Sequence, residues 1–220
     1  ISNRAMELVS DRFLLAQQLL VDRADWIVLI ELSSMDSEDT IRLEIQNLLL
    51  GAMESSLIVD GIVAESIQQS KSMWEIREII PEAQLQLGHV IKHDISLPIS
   101  ELAAFIDSTN LKLRGRWPDT EVIVFGHLGD GNLHYNLVGL NQKSSNLLPD
   151  RRHEINRLVH DQVYLYEGSF SAEHGIGQAK VAELLERKST TEMNLMHSIK
   201  RSLDPHCIMN PNKVVLQNPN

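Results

Sequence analysis

The side chains best suited to chemistry crowd into two short stretches. The first is Gly126-His127-Leu128-Gly129-Asp130-Gly131-Asn132-Leu133-His134-Tyr135-Asn136, which follows the apolar run Val122-Ile123-Val124-Phe125 and opens a second run, Leu133 to Leu140. Two apolar runs around a glycine-rich break read as a β-hairpin. Alternation along the second strand puts His134 and Asn136 on one face, Tyr135 and Leu137 on the other. His127 ends the first strand at the same bend, so two imidazoles, a carboxamide and Asp130 surround one tight turn. Neutral imidazole is a common ligand of divalent metals, and glycine lets backbone and ligand come close. Two histidines at this separation serve equally as polar residues of a turn, and spacing alone leaves both readings open.

The second stretch is Ala172-Glu173-His174-Gly175. A carboxylate is the natural third ligand for a histidine pair and leaves one position for substrate or water. A histidine beside such a metal would serve as general base. The plainer reading is a loop carboxylate next to a surface imidazole, and nothing in the sequence says that this loop meets the hairpin. Arg77 and Lys92 are either the exposed ends of a helix and a strand or two cations for a substrate carboxylate, the arginine through a bidentate fork. Asn210-Pro211-Asn212-Lys213 reads as an ordinary chain end. His89, His93, His153, His160, His197 and His206 lack a partner motif and read as surface or structural residues, and Cys207 as a small packing residue.

These groups need a scaffold. Helical spacing of apolar residues predicts helices over 3–20, 37–53 and from 65 to near Ile80, where Pro81 should end or kink the third. Trp26 to Leu32 and Leu57 to Val63 read as strands, and so does Val90 to Ser96. Pro98 opens a helix to about Arg114. After the hairpin, Asn141 to Pro149 reads as an exposed polar loop and Asp150 to Glu167 as a helix stopped by Gly168. An extended piece ending at Gly177 precedes two short helices, about 178–187 and 190–203, the last stopped by Asp204-Pro205. Mixed helices and strands in this order predict an α+β fold with helices packed on a sheet.

Composition excludes several classes. The 220 residues, 43% of them hydrophobic, suffice for one large domain or two small ones. No apolar run approaches the ~20 residues of a membrane span. A net charge of −10 opposes binding to nucleic acid and anionic membranes, so an anionic substrate needs a local cationic pocket. A single cysteine permits no internal disulfide and no thiolate zinc finger, which fits a reducing, intracellular compartment. The first residue is Ile1, as in an excised or processed piece.

The two stretches, with Leu203-Asp204-Pro205 and Met209-Asn210-Pro211-Asn212-Lys213 after them, occur in an order that resembles the C-terminal domain of FAD-linked oxidases of the vanillyl-alcohol-oxidase type. Trp74-Glu75-Ile76-Arg77-Glu78 and Lys92-His93-Asp94-Ile95-Ser96-Leu97-Pro98 fit the same pattern. The likeness spans essentially the whole chain and is to the branch of D-2-hydroxyglutarate and D-lactate/glycolate dehydrogenases. It implies an α+β fold, an antiparallel sheet covered by helices as a ferredoxin-like cap, plus a C-terminal helical segment. Residues 1–140 would form most of the cap, and 141–220 the remaining cap helix and that segment.

The likeness also implies a reaction, oxidation of a D-2-hydroxy acid to the 2-oxo acid with hydride transfer to FAD. By the same resemblance His127, His134 and Glu173 would bind a divalent metal such as zinc. His174 would take the hydroxyl proton, Arg77 and Lys92 would hold carboxylate oxygens, Asn136 would add a hydrogen bond, and Asn210 would lie near the flavin. Pro81 stands where the hydroxyglutarate enzymes carry threonine, and it cannot donate that hydrogen bond, so lactate, glycolate and other 2-hydroxy acids stay open as substrates. The FAD-binding domain is absent, so the chain is expected to be a fragment, inactive alone, whose partners are a small 2-hydroxy acid, that domain and an electron acceptor, with a homo-oligomer and a cytoplasmic or mitochondrial home in keeping. The rival reading is non-enzymatic: a stand-alone metal- or organic-acid-binding module, or a subunit completed by a separate flavoprotein.

Overall fold

The computed structural model describes residues 1–10, 13, 24–35 and 37–216. Helices α1 (Asn3–Ser10), α2 (Glu38–Glu54) and α3 (Ile67–Ala83) come first. Strands β1 (Val90–Ile91) and β2 (Asp94–Ser96), helix α4 (Leu102–Arg116) and strands β3 (Thr120–His127) and β4 (Asn132–Gly139) follow. Helices α5 (Gln142–Leu165), α6 (Val181–Arg187) and α7 (Thr190–Leu203) complete the chain. The architecture is α+β: an open antiparallel sheet covered by helices, with a C-terminal helical segment.

Strand β4 is the centre of the sheet. On one side β3 pairs with it from Thr120↔Gly139 to His127↔Asn132. On the other side β1 pairs Ile91 with Leu137, and β2 pairs Asp94 with His134. Both pairings keep one register, so β1 and β2 are a single edge strand interrupted at Lys92 and His93. The interruption has a cause in β4: the Asn136 side chain, not the backbone, accepts the His93 N–H, at 3.2 Å, while Tyr135 N–H donates to the His93 carbonyl at 2.9 Å.

The two faces of the sheet are both covered, by alternation. Ile123, Phe125 and Val138 pack on α1 and α3 through Met6, Val9, Ile76 and Ile80. Ile91, Ile95, Val124, Leu133, Tyr135 and Leu137 pack on α4 and α5 through Phe105, Leu113, Ile155 and Val159. A smaller core of Phe170, Leu184, Met193 and Val215 holds α6, α7 and the tail together. No helix among the described residues is long and apolar enough to cross a membrane.

Several local expectations are corrected. Residues 141–149 are not an exposed loop: α5 begins at Gln142. Asn141 accepts the Ser144 N–H at 3.0 Å, and Ser144 Oγ accepts the Asn141 N–H at 3.1 Å, a reciprocal cap. Ser145 is buried, its Oγ accepting the His89 N–H at 2.8 Å, and Leu148 behind it is fully buried. Packing therefore overrides the weak helix propensity of Ser-Ser-Asn. Helix α3 runs through Pro81 to Ala83, because a proline this close to the C-terminus forfeits one bond while Ile80 and Ala83 stay buried.

Among the described residues, segments 26–32 and 57–63 form no ladder. Trp26 alone bridges Ser2, while Val28 is 60% and Leu57 79% exposed. β-Branched composition favours a strand only where a partner edge exists, and beside Val124 of β3 that place is taken by Ser2, whose N–H donates to the Val124 carbonyl at 2.8 Å. Of the helix expected over 3–20, α1 covers the first part; residues 11–12 and 14–20 lie outside the described residues.

Candidate active site

The turn of the β3–β4 hairpin is shaped by glycines pressed against the chain's own backbone. A Cβ on Gly126 would lie 2.1 Å from the Asn132 carbonyl oxygen, and one on Gly131, which has φ +71°, 2.0 Å from that of Leu97. At these two glycines the close approach is to the chain's own backbone, while Gly129 between them faces open space. Asp130 Oδ1 accepts the Asn132 N–H at 3.0 Å and closes the bend.

The Glu173-His174 loop is brought to this turn by the edge strand. Ser96 and Ser169 exchange backbone hydrogen bonds at 2.9 and 2.8 Å, and Ala172 N–H donates to the Asp94 carbonyl at 3.2 Å. Glu173 Oε1 then stands 3.3 Å from His127 Nδ1, and Oε2 stands 4.0 Å from His134 Nε2. The His134 and His174 rings stack with centroids 6.1 Å apart. Arg77 reaches in from α3: its guanidinium lies over the Phe125 ring at 4.9 Å, and Nη2 is 3.3 Å from His127 Nε2. A guanidinium only donates, so His127 Nε2 is the acceptor and Nδ1 carries the proton that faces Glu173.

Beneath these groups lies Asp94, opposite His134 on β2 and 4% exposed. Its Oδ2 accepts the N–H of Glu173 at 2.9 Å and of His174 at 2.8 Å, and its Oδ1 accepts from Asn132 Nδ2 at 3.1 Å. Burial alone would raise the Asp94 carboxyl, but these donors and the nearby His174 more than offset it and hold it below the usual carboxylate range. Burial drives His134 down, against the pull of Glu173 and Asp94, with Arg77 and His174 adding to the fall; it is neutral at neutral pH and keeps a lone pair for a ligand. Burial also lowers Arg77, opposed by Glu173 and Glu78, and an arginine stays charged throughout.

Thus His127, His134, Glu173, His174 and Arg77 are drawn together from four segments. Three other residues read from the sequence are not. Asn136 shares the His134 face but is buried, and beyond accepting from His93 it donates to Gln84 Oε1 at 2.8 Å, inside the core under α3. Lys92 lies exposed in the gap between β1 and β2. Asn210 is exposed in the tail, where its carbonyl accepts from Lys213 N–H at 3.2 Å. Sequence reasoning passed over Asp94 and Asn132. The available signal was a carboxylate in a strand position that alternates with Ile91 and Ile95 and therefore points to the opposite face.

A divalent metal fits the donor chemistry here on two conditions. Bonds of about 2.0–2.1 Å in a tetrahedral site separate ligand atoms by roughly 3.3 Å, which the His127–Glu173 pair meets and the His134–Glu173 pair exceeds. Asp130 also comes within 4.8 Å of His127 and Glu173 donors. The conditions are that His134 and Glu173 draw together and that Arg77 withdraw, since it engages one nitrogen of His127 and the proton on the other faces Glu173. At Gly126 and Gly131 the space a ligand would need is filled by backbone, while Gly129 at the tip of the turn faces open space.

The chain is similar in sequence to known proteins. The chain is 37% identical over 218 residues to the mitochondrial D-2-hydroxyglutarate dehydrogenase of Arabidopsis thaliana, covering 98% of this chain and 37% of that protein. It is 38% identical over 162 residues to the D-2-hydroxyglutarate dehydrogenase of Xanthomonas citri pv. viticola, covering 74% and 34%. It is 33% identical over 216 residues to a mitochondrial protein of Schizosaccharomyces pombe provisionally named a D-lactate dehydrogenase, covering 93% and 40%. The chain therefore spans about a third of the length of these relatives. A family model matches residues 1–214, and by that match the chain belongs to the FAD linked oxidases, C-terminal domain family.

Proposed function

We propose that this chain is the substrate-binding part of a flavin-dependent dehydrogenase that oxidises a D-2-hydroxy acid to the 2-oxo acid. The observation that carries the reading is the meeting of the Glu173-His174 loop with His127 and His134 over the buried Asp94, beside the Arg77 guanidinium. Relatives named for D-2-hydroxyglutarate and D-lactate support the substrate class.

Arg77 binds the substrate carboxylate by a two-pronged hydrogen bond, and doing so frees His127 Nε2. Lys92, two residues before Asp94 on the edge strand, supplies the second cation. His174, 64% exposed, takes the hydroxyl proton at a ring nitrogen. His127, His134 and Glu173 would hold the divalent metal, zinc in this reading. A metal held there would supply acidification of the substrate hydroxyl, and FAD, which the family implies, would supply the acceptor for the hydrogen of C2 and its electron pair. The substrate thereby loses two electrons and two hydrogens, one of them as the proton on His174. Asn210 lies on the flavin side. Residues up to 140 form most of the substrate cap, and 141–220 its last helix and the segment that docks on the flavin domain. The mitochondrial relatives support an intracellular home.

The test uses the full-length protein with D- and L-2-hydroxyglutarate and D-lactate, and elemental analysis of bound metal. Oxidation of a D-isomer, with metal and most turnover lost in His134→Ala, is expected. Unchanged turnover and metal content in that variant would sink the role given to His134; no oxidation of any D-2-hydroxy acid would sink the reading as a whole.

A further inference from the structure

Resting on that reading, we propose that Asp94 is a positioning residue: its buried carboxylate sets the Glu173-His174 loop against the hairpin and turns the His174 ring so that Nε2 is the working nitrogen. Three elements converge on this one side chain. The loop offers two successive backbone N–H groups to Oδ2, the hairpin offers Asn132 Nδ2 to Oδ1, and β2 holds the residue opposite His134. His174 presents its Nδ1 to the same Oδ2, 3.6 Å away. A proton on Nδ1 is favoured by facing a carboxylate, which leaves the lone pair on Nε2, the nitrogen turned away from Asp94. Orientation of a base by a buried acid is the usual partner arrangement for general-base histidine.

The charge of Asp94 can be separated from its hydrogen bonding because of a neighbouring atom. Asn132 Oδ1 is buried with no hydrogen-bond partner. In Asp94→Asn the new carbonyl oxygen can still accept both loop N–H groups. Its amide can then donate to Asn132 Oδ1 once Asn132 turns over. The loop keeps its tether and His174 loses the carboxylate. Asp94→Ala removes both.

The experiment compares the two variants in the full-length, FAD-loaded protein. Asp94→Asn is expected to lower kcat about tenfold or more, with KM and melting temperature close to wild type and the Glu173 and His174 amides still slow to exchange with solvent. Asp94→Ala is expected to lower kcat, raise KM and speed exchange at those two amides. Nitrogen-15 spectra of neutral His174 should show the proton on Nδ1 in the wild type and a mixture in Asp94→Asn. Wild-type kcat together with an unchanged tautomer in Asp94→Asn overturns the proposal, as does an Nε2-protonated His174 in the wild type, a measurement that needs no variant to fold. If no D-2-hydroxy acid is oxidised, the functional reading fails, and the tautomer and exchange data still decide the role of Asp94.

Discussion

Neighbouring residues of one edge strand serve two histidine clusters of opposite character. Asp94 faces the open cluster, His127, His134 and His174. His93 faces a closed one under α5. There its Nδ1 lies 2.8 Å from the Tyr135 carbonyl oxygen and its Nε2 3.1 Å from Asn156 Oδ1. Edge-on to it, His160 is buried with Nδ1 2.6 Å from Glu183 Oε2. In the closed cluster both His93 nitrogens face protein groups, the Tyr135 carbonyl accepting the Nδ1 proton and Nε2 accepting from the Asn156 amide once that amide is turned over, and burial, with help from His160, pushes its pKa down to about 3. In the open cluster His127 is 52% exposed and its partners are two charged side chains, Arg77 and Glu173, for which a bound anion or cation can compete. Residue type is the same in both. Saturation and burial separate a histidine that holds the fold from one that can do chemistry.

That contrast can be broken by mutation. His174→Ala should carry the largest effect, a loss of about 10² or more in kcat with little change in melting temperature; steady-state kinetics and a thermal melt on one preparation decide it. His93→Ala should do the reverse. It leaves the Tyr135 carbonyl and Asn156 without their partner and opens a cavity, so a destabilisation of about 3 kcal/mol is expected in urea unfolding. Activity per folded molecule should be less affected than in His174→Ala. A His93→Ala protein as stable as wild type would erase the distinction between the clusters.

Acid sharpens it further. Unfolded His93 takes up a proton as pH falls through its ordinary 6.5, whereas folded His93 does so only near 3. Between those values the unfolded state binds more protons, so stability falls with pH: full above about 6.5, lost progressively below it. His93 alone should cost about 2 kcal/mol between pH 7 and pH 5, measured as the difference in unfolding free energy between wild type and His93→Gln. The smallest effect concerns the helix that closes the second cluster. Asn141→Ala removes the cap of α5, which carries Asn156 and His160, and should cost about 1 kcal/mol while leaving kcat intact.

Much of the scaffold was legible along the chain. The hairpin, α4, α7 and the stop at Asp204 follow from glycine, proline and apolar period, which act over a few residues. The same local rules misread 141–149, where Gly139 and His89 press on Ser145 and stabilise a helix that Ser-Ser-Asn would not choose. They misread 26–32 and 57–63 for the converse reason, a strand-like composition without a ladder.

For the site, sequence by itself determined which residues carry titratable and ligating groups, their order, and the tight bend that puts His127 and His134 at one turn. Local chain geometry is enough for that, since alternation and positive φ are properties of single residues and their neighbours. Only the tertiary structure decided that residues 173–174 reach a turn some forty positions earlier, that Arg77 arrives from α3, and that Asp94 lies beneath them all. It also decided that Asn136, on the expected face, is spent inside the core on His93 and Gln84. Those outcomes depend on which backbone edges pair and which polar atoms are left to satisfy one another once water is excluded, and no spacing along the chain encodes them.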